Sequence, residues 1–126
     1  MEPERQHALE RTTASLAYFD ELRQALDDAE RRARSVCAGL EAGVPLGEAF
    51  TAVDAPTGRR RLTDTFAEFD RLRHDARLAL MLLAAAEGMN KSAIARAWGI
   101  SPQWAGHEVD AARRTADPLP GPDPGS

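Results

Sequence analysis

The sequence predicts an all-α protein, and three observations carry that prediction. Alanine and leucine dominate an apolar fraction of 43%, while aromatic residues make up only 6%. Both are helix formers, whereas strands favour Val, Ile and Tyr. Apolar residues recur at steps of three and four along two long stretches, which is helical spacing rather than the alternation of a strand. Glycine and proline fall mostly between these stretches, as helix ends and turns require. The 126 residues suffice for one compact domain or a small domain with a helical appendage.

The first stretch runs from Glu4 to Leu40. Its stripe is Leu9, Leu16, Phe19, Leu22, Leu26, Ala29, Ala33, Val36, Cys37 and Leu40. In a heptad frame Thr12, Phe19, Leu26, Ala33 and Leu40 fill one core column well. The other column is Leu9, Leu16, Arg23, Glu30 and Cys37, which is poor in its middle, so a long regular coiled coil is not expected. The stripe must still be buried, either on a second subunit or on the later helix folding back. Leu9, Leu16, Phe19, Leu22 and Leu26 are the candidate dimerisation residues. Gly39 and Gly43 end the helix, and Val44-Pro45-Leu46 follows.

One or two helical turns over Gly47 to Val53 would bury Leu46, Phe50 and Val53. Asp54-Ala55-Pro56-Thr57-Gly58 has the composition of a turn. Arg59-Arg60-Arg61 reads either as a solvated loop or helix start, or as a phosphate contact. A second long helix is expected from Thr63 to Glu87, capped by Thr63 or Asp64. Its apolar face is Phe66, Phe69, Leu72, Ala76, Leu80, Leu83 and Ala84. Leu78 to Ala86 is apolar all round, which implies burial on more than one side.

The last helical region opens after Gly88, with Asn90 or Ser92 as the start of a short helix. Ile94, Ala95 and Trp98 share one face of it, and Gly99 ends it with a sharp turn of positive φ. Ile100 plugs the corner. Ser101 caps the next helix, and Pro102 takes its first position, where a missing N–H costs nothing. Ala105, Val109 and Ala112 form that helix's inner face. Trp98 belongs to the core, and Trp104 either packs under the long helix or projects toward a partner. From Ala116 a Pro/Gly-rich tail to Ser126 is expected to be disordered. The organisation expected is therefore an N-terminal helical module over 4–70, a C-terminal module over 71–115 and a tail over 116–126.

Charge and chemistry narrow the function. The net charge of −4 argues against a nonspecific coat for DNA. From Gly88 to Arg114, however, Lys91, Arg96, Arg113 and Arg114 face only Glu108 and Asp110, a local balance of about +2. Lys91 is the only lysine, and this Arg-rich, Lys-poor composition is that of GC-rich bacterial genomes. Cys37 is the single cysteine, so no intrachain disulfide and no finger-type zinc site is expected. No cofactor or metal is implied. His7, His74 and His107 are far apart in sequence, and neither a Gly-rich phosphate loop nor a nucleophile–base signature is present, so an enzyme is not expected. Asp70, His74 and Arg77 on adjacent turns read as a solvated network. The polar start and the absence of about 20 consecutive apolar residues lead to the expectation of a cytoplasmic protein with no membrane contact.

The stretch from Asp75 to Arg114 resembles the helix-turn-helix family, in the trihelical form of the fourth region of bacterial sigma factors and of LuxR-type output domains. The residues that carry the resemblance are Ile94-Ala95, the Gly99-Ile100-Ser101 corner, and Ala105 with Val109. Two positions depart from the pattern: Ala105 is smaller than the usual Val or Ile, and Gly106 weakens its helix by about 1 kcal/mol relative to Ala. The resemblance implies double-stranded DNA as partner, with the helix over 101–114 in the major groove. It places Pro102, Gln103, Gly106 and His107 at base edges, with Gln103 suited to adenine and Gly106 allowing close backbone approach. It places Lys91, Ser92, Arg96, Ser101, Arg113 and Arg114 at phosphates. The function expected is that of a small transcriptional regulator acting as a homodimer. A helical adaptor that contacts a sigma factor or polymerase through its acidic N-terminal helix is the alternative, as is a plasmid or phage partition or replication factor.

Overall fold

The computed structural model describes residues 2–116. The protein is all-α. The described residues form six helical segments and no strand: α1 (Pro3–Ala17), α2 (Phe19–Glu41), α3 (Leu46–Ala52), α4 (Ala55–Ala86), α5 (Lys91–Trp98) and α6 (Pro102–Ala116). No helix among them is long and apolar enough to cross a membrane. The Pro/Gly-rich tail read from the sequence lies, from 117 onward, outside the described residues.

Two helix boundaries differ from those the sequence predicts. The helix expected over 4–40 is interrupted at Tyr18. That residue keeps right-handed helical angles, φ −83° and ψ −11°. Its N–H donates to Ser15 O at 3.2 Å and its carbonyl accepts from Leu22 N–H at 3.1 Å. A single i→i−3 bond tightens one turn, so the helix bends without ending. The second long helix begins at Ala55 instead of near Thr63. Asp54 supplies the start: its carboxylate accepts from the Thr57 hydroxyl and from the Thr57 N–H, which holds it below its ordinary pKa. Pro56 then falls in the first turn, where proline is tolerated. The segment with turn composition is thus a helix start, and Arg59-Arg60-Arg61 lie inside α4.

The described residues divide into two compact units. One is Ala14–Leu72. In it Ala25 and Asp28 of α2 and Ala49 of α3 are buried. Phe19 meets Phe69 of α4 edge-on, with ring centroids 5.3 Å apart. Of the candidate dimerisation residues, Phe19 is therefore packed within the chain, and Leu22 is half-buried. Leu16 and Leu26 remain 61% and 45% exposed. Asp28 joins α2 to α4. It accepts from Arg32 Nε at 2.8 Å and Arg31 at 3.0 Å, both on α2, and Arg61 of α4 stands 3.6 Å away. The Arg32 hydrogen bond lowers the Asp28 pKa, burial opposes it, and the charges of Arg32, Arg61 and Arg31 reinforce it. Arg32 also donates to the carbonyls of Val53 and Asp54, so one guanidinium ties α2 to the α3–α4 turn.

The other unit takes in 2–13 and 73–116 of the described residues. Its core is Met81 and Ala84 of α4, Ile94 and Ala95 of α5, and Ala105 and Val109 of α6. Ala85, Met89, Trp98 and Ile100 pack around it. Residues 2–13, which the sequence groups with the N-terminal helix, cluster here. Ala8 is buried, and Arg5 reaches Glu87 at 2.6 Å. Both partners of that ion pair are about half exposed, so it adds at most about 1 kcal/mol. Leu9 stays 52% exposed.

Candidate functional site

The site is built on α5, the Gly99–Ser101 corner and α6. Asn90 caps α5 by accepting the Ala93 N–H at 2.9 Å. Nine residues later Gly99 closes it in the left-handed region, φ 69° and ψ 35°, where a side chain would be strained. The Ile100 N–H turns back to Ala95 O at 3.0 Å and completes the corner. Ser101 Oγ accepts the Trp104 N–H at 3.1 Å and Pro102 opens α6. The local chemistry read from the sequence therefore forms the corner between the two helices. Small residues let them approach: Ala95 is 3% and Ala105 0% exposed.

Burial on one side of α6 defines the other. Ala105, Val109 and Ala112 are buried, and Gln103, Trp104, His107 and Asp110 are exposed. Lys91, Pro102, Gln103, Gly106, His107 and Asp110 line one shallow depression. The structure thus gathers Lys91 with all four residues assigned to base edges. Gly106 is not on open surface, however. It is buried, and the Lys91 side chain crosses it: a Cβ at Gly106 would lie 3.1 Å from Lys91 Cδ and Cε. The close approach that Gly106 permits is to Lys91.

The remaining phosphate candidates are scattered. Ser92 and Arg96 of α5, Ser101 at the corner and Arg114 on α6 are exposed, and none of them lines the depression. Arg113 points elsewhere, into a groove shared with His7, Arg11 and Asp75, 4.0 Å from Asp110. Among the described residues no group of three or more His, Cys, Asp or Glu side chains could hold a metal ion.

Two features escaped the sequence reading, the place of Asp110 and the burial of Glu108, while for Trp104 the outward of its two readings holds. Asp110 lies at the end of the depression and offsets part of its positive charge. The spacing contained this, because 103, 107 and 110 form an outward stripe on a helix. Trp104 is 50% exposed and its ring lies 5.6 Å from that of His107, tilted by 30°. Glu108 is buried, at 4% exposure, and pairs with Arg77 of α4 at 3.1 Å. Its inward direction also follows from spacing: 105, 108, 109 and 112 share a face. No protein family, curated protein or solved structure matches the chain. The reading of the site rests on its own geometry.

Proposed function

We propose that the protein binds double-stranded DNA as a small transcriptional regulator, with α5 and α6 as a helix-turn-helix pair and α6 in the major groove. The observation that carries this reading is the exposed face of α6. Gln103 and His107 stand one turn apart on it, Lys91 lies beside them, and the opposite face is anchored in the core. A helix of 15 residues is about 22 Å long and fits a groove about 12 Å wide. Gln103 carries the donor and acceptor pair that matches adenine, and His107 can donate to a guanine acceptor. Lys91 supplies charge to the phosphates on the groove's edge.

Fluorescence anisotropy tests the reading, with a duplex selected by the protein from a random pool and a scrambled duplex, across a salt series. Salt-sensitive binding that prefers the selected duplex is expected. Gln103→Ala should remove preference at one base position, worth about 1–3 kcal/mol. Lys91→Ala should weaken both duplexes alike and reduce the salt slope by about 0.9. Absence of binding to any duplex at low salt would sink the proposal.

The half-exposed Trp104 and the carboxylate of Asp110 favour a second reading, a protein-binding adaptor. Large aromatic side chains at a surface are common anchors of protein interfaces. In that case Trp104→Ala abolishes capture of the partner, and the duplex titrations above stay flat.

A further inference from the structure

Gly106 occupies the middle of α6, where glycine destabilises a helix relative to alanine. Its backbone gives no reason for this choice, because its φ is not positive. The reason lies in what fills the space of the missing side chain. A Cβ at 106 would stand 3.1 Å from Lys91 Cδ, 3.1 Å from Cε and 3.2 Å from Nζ. The stem of Lys91 therefore rests on bare helix backbone. Its ammonium is carried over the face that holds Gln103 and His107. Among the described residues no carboxylate lies within ion-pair distance of that ammonium, although Asp110 lines the same depression. A lysine stem is flexible and ordinarily samples many rotamers. A seat that restrains it reduces the ordering cost of any later contact with an anion.

We propose that Gly106 is a positioning residue, a seat that holds Lys91 across α6 so that one cation and the two base-edge side chains meet a phosphodiester backbone as a single unit. The functional half of this proposal rests on the DNA reading above; the seat itself does not. Its consequence is unusual for a helix interior: alanine at 106 improves the helix and impairs the site.

The test uses the full chain and exploits Lys91 as the only lysine. Reductive methylation with ¹³C-formaldehyde labels Lys91 and the amino terminus alone. In the wild-type protein the Lys91 methyl resonance is expected away from the position of free dimethyl-lysine, and broadened by restraint. Gly106→Ala should return it toward that position while the thermal midpoint stays the same or rises. Unmethylated Gly106→Ala should lose about 0.9 in the slope of log affinity against log salt. The same substitution in a Lys91→Met background should cost no further affinity, because the ammonium is already gone. An unmoved methyl resonance in Gly106→Ala overturns the seat, whatever DNA does. A moved resonance with unchanged duplex affinity overturns its functional half. A moved resonance in a protein that binds no duplex upholds the seat and refutes the DNA reading.

Discussion

Single residues on α6 divide sharply into those that hold the helix and those it offers, and Glu108 is the instructive case. It is a carboxylate on the inner face, between Ala105 and Val109, where burial without a partner would be costly. Arg77 supplies the partner at 3.1 Å and also lies 2.8 Å from His74 Nδ1. Arg77 Nε is buried and has no hydrogen-bond partner among the described residues, so this guanidinium already carries one unmet donor. Glu108→Ala would leave a second group of Arg77 without its acceptor. The expected loss is about 1–3 kcal/mol of unfolding free energy. Glu108→Gln, which keeps an acceptor oxygen, should lose less. Urea unfolding of the three proteins measures both, and a Glu108→Ala midpoint equal to that of the wild type would refute the assignment. Once folded, these variants should keep duplex selectivity, since Glu108 lies on the face opposite Gln103.

Elements are set by how their ends are satisfied, and this decides what the sequence could disclose. The α5–corner–α6 segment was legible because each of its signals is local. Asn90, Gly99, Ser101 and Pro102 act within four residues of themselves, and the structure places them as a cap, a left-handed turn, a cap and a first position. The start of α4 was misread because Asp54-Ala55-Pro56-Thr57-Gly58 has the composition of a turn and of a capped helix start alike. The bond from Thr57 to Asp54 decides between them. The Tyr18 bend has no such signature, as neither proline nor glycine stands near it. The seat of Lys91 on Gly106 joins two elements and is invisible until they are packed. Asp28 is likewise a cross-element contact, and it gives a test of how α2 is held. Its carboxylate is stabilised in the folded chain by Arg32, Arg61 and Arg31, so its pKa lies below the ordinary value. A depressed acid contributes stability that is complete above its unfolded pKa, about 4, and disappears as pH falls through the folded value. The urea midpoint of Asp28→Asn should therefore lie below wild type by a constant margin above about pH 4 and converge on it in more acidic solution. A margin that persists unchanged to pH 2 would mean that packing, and not charge, accounts for the loss.

At the scale of the whole molecule the acidic chain and its small cationic face pose a question of affinity. On the DNA reading proposed above, one α6 with Lys91 beside it would neutralise few phosphates, and a net charge of −4 would repel the rest of the duplex. Two linked copies would solve this, because the second contact is made at an effective concentration in the millimolar range. Leu16 and Leu26 are suited to such pairing. They are 61% and 45% exposed on adjoining helices, while Phe19, their neighbour in the stripe, is taken up by Phe69. If two copies pair through these residues, Leu16→Glu should shift sedimentation from dimer to monomer at micromolar concentration. Its exposed position predicts a change in the folding stability of the monomer of no more than about 0.5 kcal/mol. Affinity for a duplex with two half-sites about 34 Å apart should fall by about 100-fold or more, and affinity for a single half-site should not change. A wild-type protein that sediments as a monomer up to millimolar concentration would remove the dimer. The groups on α6 would then have to supply the whole affinity, and the salt slope could not exceed the few cations on that face.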